Sequence, residues 1–471
     1  MTTISKSLTT SQENDFITIR KSQEAFFNSG ATKDIGFRKN QLKILYKALV
    51  IFEKNLLVAL HADLHKSPFE AYGTELALVK KEIILSLKKI DRWTKPVKVR
   101  SGIAAIPSKE YYYNQPHGQC LIIAPWNYPV QLVLLPLVGA IVAGNCVVLK
   151  PSEMAVNTSA VIAELTQTYF DPAYIAVVPG DAEVSKALLK EKWDFIFFTG
   201  STKVGKIVMK AAAEHLTPVV LELGGKSPCI VDKDADLESA ARRIVWGKYV
   251  NAGQTCIAPD YLLVHSSVKN RLLAEMQKNI ETFFGKNPAL SPDFGRIINK
   301  QHFKRLLDLM QQGSVFYGGN NLPDELYISP TIIDQVKWSD PIMQEEIFGP
   351  LLPVITFEDL DVLIQKLTSL PRPLAFYFFS KSKKNQKRIM DQIPFGGGCI
   401  NDTLLQFGNA RLPIGGTGQS GMGQYHGKFS FEAFSYKKSM VIKNAWPDIK
   451  LRYPPFEGKL KWLKRAFNLP W

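Results

Sequence analysis

Cys256, in the segment NAGQTCIAP, stands among polar and small residues where a loop is expected, whereas Cys120 and Cys146 lie inside apolar runs. A thiol in such a place is a candidate nucleophile, provided a helix N-terminus or nearby donors stabilise its thiolate. Attack on a carbonyl would create an oxyanion, which calls for a preorganised donor. Asn127, in IIAPWNYP, follows an apolar run and is flanked by prolines that restrict the backbone. Its amide could donate to that oxyanion; a turn-forming asparagine is the plainer reading. Glu222 closes the apolar part of PVVLELGG. A carboxylate there is unfavourable unless paired or protonated, so its pKa is expected to rise toward that of a general base.

Other residues could hold an anionic nucleotide. FTGSTKVG sets Gly200 and Gly205 between a strand and a helix, where backbone N–H groups and the helix dipole could face a pyrophosphate. The spacing is not the G-x-G-x-x-G of ordinary dinucleotide folds. Lys150 ends CVVLKPSE, and its ammonium with the Glu153 carboxylate could bind ribose hydroxyls, or could form a surface ion pair. Glu346, in MQEEIFGP, could hold a nicotinamide ribose with Phe348 packed beside it; a helix end before a turn at Gly349–Pro350 is the alternative. His61 and His65 stand four apart, a spacing that can bind metal, but no H-E-x-x-H pattern accompanies them and no metal site is expected.

These residues need rigid elements to hold them. Residues 12–92 show helical spacing, with Leu42, Leu45, Leu49 and Phe52 on one stripe. Residues 96–107 read as extended, as does Tyr111-Tyr112-Tyr113. Strands then alternate with helices: QCLIIAP, LVLLPLVGAIVAG, NCVVLKPS, NTSAVIAELTQTYF, YIAVVPG, a helix through 187–189, WDFIFFTGS and KVGKIVMKAAAEHL. Such alternation with Val/Ile-rich strands predicts a parallel sheet covered on both faces, with ligands beyond the carboxyl ends of its strands. A second α/β segment runs from PVVLELGG to about Cys399, and FEAFSYKKSMVIK reads as a closing strand.

At 471 residues the chain is long enough for about three units. Hydrophobic residues at 46% and charged residues at 21% describe a folded protein rather than a disordered one. The net charge of +15 could attract anions, but no long basic run accompanies it, so a solvated basic surface is expected and no nucleic-acid partner. Five widely spaced cysteines without a C-x-x-C pair argue against a disulfide framework and for a reducing compartment. The opening MTTISKSLTTSQENDF lacks a secretion-signal core, so a cytoplasmic protein is expected. Residues 120–149 are the most apolar, yet prolines and amides break them, and they read as buried structure rather than a membrane span.

APWNYP, LKPSE, FTGST, LELGGKSP, GQTC, EEIFGP and GQSGMG, in this order, resemble the aldehyde dehydrogenase superfamily from about residue 12 to 440. GQTCIAPDY, QYHGKFSFEAFSYKKS and the ending RYPPFEGKLKWLK resemble its class 3 and fatty-aldehyde branch. The resemblance implies an NAD- or NADP-dependent oxidation of aldehydes, medium- or long-chain aliphatic or aromatic, to carboxylic acids through a cysteine thiohemiacetal and thioester. It implies Cys256 as nucleophile, Asn127 sharing the oxyanion with the Cys256 amide, and Glu222 activating water. Lys150 and Glu153 would hold the adenine ribose, Ser201 and amides near Gly200 the pyrophosphate, and Glu346 and Phe348 the nicotinamide. Tyr128, Trp246 and Phe407 are candidate aromatic walls for the substrate, although buried aromatics are more often plain core.

The expected architecture is a Rossmann-like parallel-sheet cofactor domain (1–96 and 117–221), a second α/β catalytic domain (222–399) and a small β oligomerisation arm (97–116 and 400–445). A basic amphipathic tail (446–471) would follow, with Leu460, Leu463 and Phe467 at helical spacing among lysines. It could lie on an anionic membrane or fold over a partner subunit or the substrate mouth. A homodimer is the family expectation. Gln406 and Ala410 stand where relatives often carry histidines, which weakens any transfer of substrate preference. A CoA- or phosphate-linked reductase of the same fold, a non-redox thiol esterase and a non-enzymatic binding protein are the competing functions. Glu222 argues against the first, the cofactor elements against the second, and the trio Cys256, Glu222 and Asn127 against the third.

Overall fold

The structure is a computed structural model that describes residues 10–102, 105 and 107–467. The opening residues 1–9, read above for a secretion signal, and the tail's last residues 468–471 lie outside the described residues. The chain divides into two units: residues 1–93 with 116–436, and residues 94–115 with 437–471.

In the larger unit, five short apolar strands are buried along nearly their whole length: Gln119–Ile123, Cys146–Lys150, Ile175–Val177, Phe195–Thr199 and Val219–Glu222. Side chains on both faces leave water, as in a sheet with helices on either side. Each fully buried Phe or Leu, such as Phe197 or Leu121, contributes roughly 1.5–3 kcal/mol. The strands run parallel in the spatial order Val219, Phe195, Gln119, Cys146, Ile175, and the short strand Gly421–Met422 adds antiparallel beside Val219–Glu222. The earliest of them, Gln119–Ile123, is central, so the chain crosses over beside it and leaves a crevice at the carboxyl ends. Register sets Ile123 opposite both Lys150 and Phe198, and Thr199 opposite Glu222, which brings the strand ends to one edge.

A second sheet of seven strands orders Ser314–Tyr317, Thr331–Asp334, Leu351–Phe357, Tyr261–His265, Pro228–Val231, Ala375–Phe379 and Gly397–Ile400, parallel except for the first. The apolar run after Asn127 forms the helix Gln131–Ala143, whose thirteen residues are all buried. It is core, and no helix of the described residues is long and apolar enough to cross a membrane. The amino-terminal helical spacing holds, with Leu42, Leu45 and Leu49 buried in the helix Ile35–Ile51. The expected closing strand FEAFSYKKSMVIK is only half right. Its first residues end the helix Lys428–Ala433, where Phe431 and Phe434, three apart, are buried on one side, and the strand is Ser435–Ile442.

The smaller unit is built on a three-stranded sheet, Val97–Val99, Lys109–Pro116 and Ser435–Ile442. Lys437 and Lys438 lie over the rings of Tyr112 and Tyr113 at 5.5 and 5.8 Å. Its last helix, Leu460–Phe467, exposes Leu460, Trp462, Leu463 and Phe467.

Candidate active site

Asn127, Glu222 and Cys256 line one cavity of about 430 Å³, together with Gly200, Ser201, Glu346 and Phe348. The sheet explains the grouping. Asn127 follows the strand Gln119–Ile123, Ser201 follows Phe195–Thr199, and Glu222 is the last residue of Val219–Glu222. A second, largely apolar cavity of about 200 Å³ is lined by Tyr128, Trp246, Leu404, Leu405 and Phe407. Cys256 and Leu132 border both cavities, so the thiol lies on the wall that they share.

Burial pushes the Cys256 thiol up to about 12, and the carboxylates of Glu346 and Glu222 act in the same direction. The amides of Cys256 and Ile257 oppose this by favouring the thiolate. Burial likewise raises the Glu222 carboxyl well above the usual range, and its Oε1 has no hydrogen-bond partner. A carboxylate whose proton affinity is raised by burial, with one oxygen left as an open acceptor, has what a general base acting on water needs. Asn127 is almost fully buried; its Nδ2 donates to the Gln254 carbonyl at 3.0 Å, which leaves one of its two protons for another acceptor.

The EEIFGP loop is held from below. Asp260 receives the Ile347 amide at 2.9 Å on Oδ1 and the Lys226 ammonium at 2.5 Å on Oδ2. Lys226 also donates to the carbonyls of Ile342 and Glu345, and Arg305 to those of Glu346 and Ile347. Phe348 meets Trp126 edge to face, ring centres 5.3 Å apart. Burial pushes Glu346 up to about 8, with Asp260 adding to it, while the Gly225 amide pulls it back. A Cβ at Gly224 would collide with the Glu346 carboxylate, so only glycine admits that side chain so close to the strand end.

The glycines of FTGSTKVG act otherwise than expected. The Gly200 amide donates to the Glu222 carbonyl at 3.0 Å and the Gly205 amide to the Ser201 carbonyl at 2.9 Å, so neither faces a ligand. Ser201 caps the helix Thr202–Glu214 by accepting the Val204 amide. The first-turn amides of Thr202 and Lys203 have no acceptor within the helix, and both residues line the 430 Å³ cavity. Gly205 packs instead: a Cβ there would strike the Leu223 side chain. A cradle of helix-terminal amides, a Gly224 floor and the Glu346 carboxylate fits the phosphates and ribose of a dinucleotide.

Lys150 and Glu153 are not on that cavity. Lys150 is buried at the end of the neighbouring strand, bonded to the Pro151 carbonyl at 2.8 Å and to Glu153 at 3.2 Å. Gln406 turns away from the apolar cavity, accepting the Cys399 thiol at 2.9 Å and donating to the Tyr377 hydroxyl at 3.0 Å, while Leu405 and Phe407 on either side line it. His426 packs behind Phe407 at 4.6 Å, with burial lowering its pKa to about 3. The rings of His61 and His65 lie tilted against each other, centres 4.3 Å apart. Sequence reasoning missed Lys226, Asp260, Arg305, Asn251 and Gln254. Lys226 had a signal in its place just after the Glu222 glycines; Asn251 and Gln254 bond each other three residues apart but reach Asn127 across more than a hundred residues, and the partners of Asp260 and Arg305 also lie far away in the chain.

Fold and site together define a dinucleotide-dependent oxidoreductase. The chain belongs to the aldehyde dehydrogenase family, whose family model matches residues 12–440. It is 47% identical over 447 residues to 4,4'-diaponeurosporen-aldehyde dehydrogenase of Staphylococcus aureus, covering 94% of this chain and 97% of that protein. To aldehyde dehydrogenase family 3 member B3 of Mus musculus it is 46% identical over 451 residues, covering 95% and 94%. A solved substrate-bound state of Staphylococcus aureus AldH superposes with a TM-score of 0.94 at 46% identity, covering 96% of this chain and 99% of that one. The resemblance to the class 3 branch therefore holds, and the enzyme oxidises aldehydes to carboxylic acids with NAD or NADP.

Proposed function

We propose that Cys256 attacks the aldehyde, that Asn127 Nδ2 and the Cys256 amide receive the oxyanion, and that Glu222 activates the water that releases the acid. The observation that carries this reading is the position of Cys256 on the walls of both cavities, with Glu222 and Asn127 lining the larger one. An aldehyde held in the apolar cavity meets the sulfur from one side, and the groove opens on the other. The bound cofactor supplies the oxidation by accepting a hydride from the carbon held on sulfur. Forming a thiohemiacetal first makes that carbon a hydride donor, and its oxidation leaves a thioester on Cys256. Glu222 then takes a proton from water, the water adds to the thioester carbonyl, and the carboxylic acid leaves as the thiol is restored.

Ser201 and the first-turn amides would hold the pyrophosphate, Lys150 and Glu153 the adenine ribose, and Glu346 and Phe348 the nicotinamide end. Residues 1–96 and 117–221 would then form the cofactor domain and 222–399 the catalytic one. The apolar lining by Tyr128, Trp246, Leu404 and Phe407 favours medium- or long-chain aliphatic or aromatic aldehydes. We read the enzyme as a cytoplasmic homodimer joined through residues 97–116 and 400–445; the edge strand Ser435–Ile442 with Met440, Val441 and Ile442 exposed supports this. The exposed apolar residues of Leu460–Phe467 among lysines support a peripheral membrane contact.

Glu222→Gln tests the central assignment. It should give one burst of reduced cofactor per site and then turn over on the order of 10²–10⁴-fold more slowly, because acylation survives and deacylation stalls. Steady turnover at the parental rate would remove Glu222 from the mechanism. A panel of short, long and aromatic aldehydes with NAD and with NADP fixes the substrate class.

A further inference from the structure

Around the backbone of Asn127 lies a buried polar network that the chemistry above does not use. Lys66, just after the helix Glu53–Leu64, and Glu75, in the π-helical turn Tyr72–Leu76, are both fully removed from solvent and paired at 2.6 Å. Lys66 Nζ also donates to the Asn127 carbonyl at 2.9 Å and lies 4.0 Å from the centre of the Tyr128 ring. Glu75 Oε2 accepts the amides of Val130 at 2.8 Å and Gln131 at 3.2 Å, where the helix Gln131–Ala143 begins. Asn251 Nδ2 adds a second donor to the Asn127 carbonyl at 2.9 Å and reaches the Gln254 carbonyl at 3.1 Å. The ion pair thus grips the segment from Asn127 to Gln131 at both ends.

An ion pair withdrawn from water is a poor source of stability, since apolar side chains of similar volume usually serve as well. What it provides is direction. The ammonium fixes the peptide plane after Asn127, and with it the angle at which the carboxamide leaves the backbone. That carboxamide is tied by one proton to the carbonyl of Gln254, two residues before Cys256, so donor and sulfur move together. Misplacement of a reacting partner by about 1 Å can lower a rate on the order of 10²-fold.

We propose that Lys66, held by Glu75, is a positioning residue for the oxyanion donor, setting the Asn127 peptide so that its second amide proton meets the developing charge beside Cys256. The proposal rests on the reading of Asn127 as that donor.

A double-mutant cycle in the full chain tests it, read by steady-state aldehyde oxidation alongside cofactor binding and thermal unfolding. Lys66→Met should lower kcat roughly 10- to 100-fold, with KM for the aldehyde and cofactor affinity within about twofold of the parent, and Lys66→Arg should restore part of kcat. Asn127→Ala should lower kcat on the order of 10²–10³-fold. In the combined variant Lys66→Met should add little to Asn127→Ala, because its effect passes through that side chain. If Lys66→Met alone fails to fold with Glu75 left unpaired, Lys66→Met/Glu75→Gln removes both charges at similar volume and keeps an acceptor for Val130 and Gln131; the same loss is expected. Parental kcat in a folded variant, or losses that multiply in the combined one, overturns the proposal. Parental kcat in Asn127→Ala overturns the donor reading instead.

Discussion

A thiol pushed up to about 12 by burial, as at Cys256, is almost wholly protonated at neutral pH. Thiolate fraction then rises about tenfold per pH unit well past the range of an ordinary cysteine. Alkylation of Cys256 by iodoacetamide, taken as the difference between the parent and Cys256→Ala, should climb without a plateau from pH 7 to 10. A plateau near about 8.5 would mean an unperturbed thiol and remove burial as the cause. The same withdrawal from water that raises the thiol also raises the Glu222 carboxyl, and neither residue carries that information in its own type.

Between the strand ends and the reacting atoms stand loops, and their precision comes from single charged residues. Asp260→Ala would release both the Ile347 amide and Lys226, letting the EEIFGP loop drift. Cofactor titration should show KM for NAD or NADP raised roughly tenfold, about 1.4 kcal/mol, in line with loss of a charge-assisted hydrogen bond; an unchanged KM would dismiss Asp260 as the loop's anchor. Glu82, in the helix Ala77–Trp93, is buried and accepts the Gly427 amide, and burial raises its carboxyl to about 7 against that bond. The stability this neutral acid contributes is full below about 4.5 and is lost as pH rises through about 7. Glu82→Gln should therefore match the parent at pH 4 and, in urea unfolding at pH 8, be the more stable by on the order of 3 kcal/mol. Equal midpoints at pH 8 would show that Glu82 does not ionise inside the fold.

At the scale of the whole molecule, a net charge of +15 and a tail with exposed Leu460, Trp462 and Leu463 combine long-range attraction with local apolar contact. Removing the residues after Tyr453 should lower partition onto vesicles containing anionic lipid, and added salt should weaken the parent's binding. Partition unaffected by the truncation would leave the tail to some other task. Such a deletion should spare kcat on soluble aldehydes if the tail serves the membrane alone.

Read along the chain, the type and order of residues already specified the strand–helix alternation, the loop character of NAGQTCIAP and the trio Cys256, Glu222 and Asn127. Periodicity and local composition are properties of neighbours in sequence, so they survive in one dimension. The destinations of amide protons did not. That Gly200 and Gly205 give theirs to Glu222 and Ser201, that Gln406 faces Tyr377 rather than the substrate, and that Lys66 reaches Asn127 across 61 residues depend on contacts made when sheets and helices pack. Protonation belongs to the same class, because the solvent a carboxyl or thiol loses is set by everything folded around it.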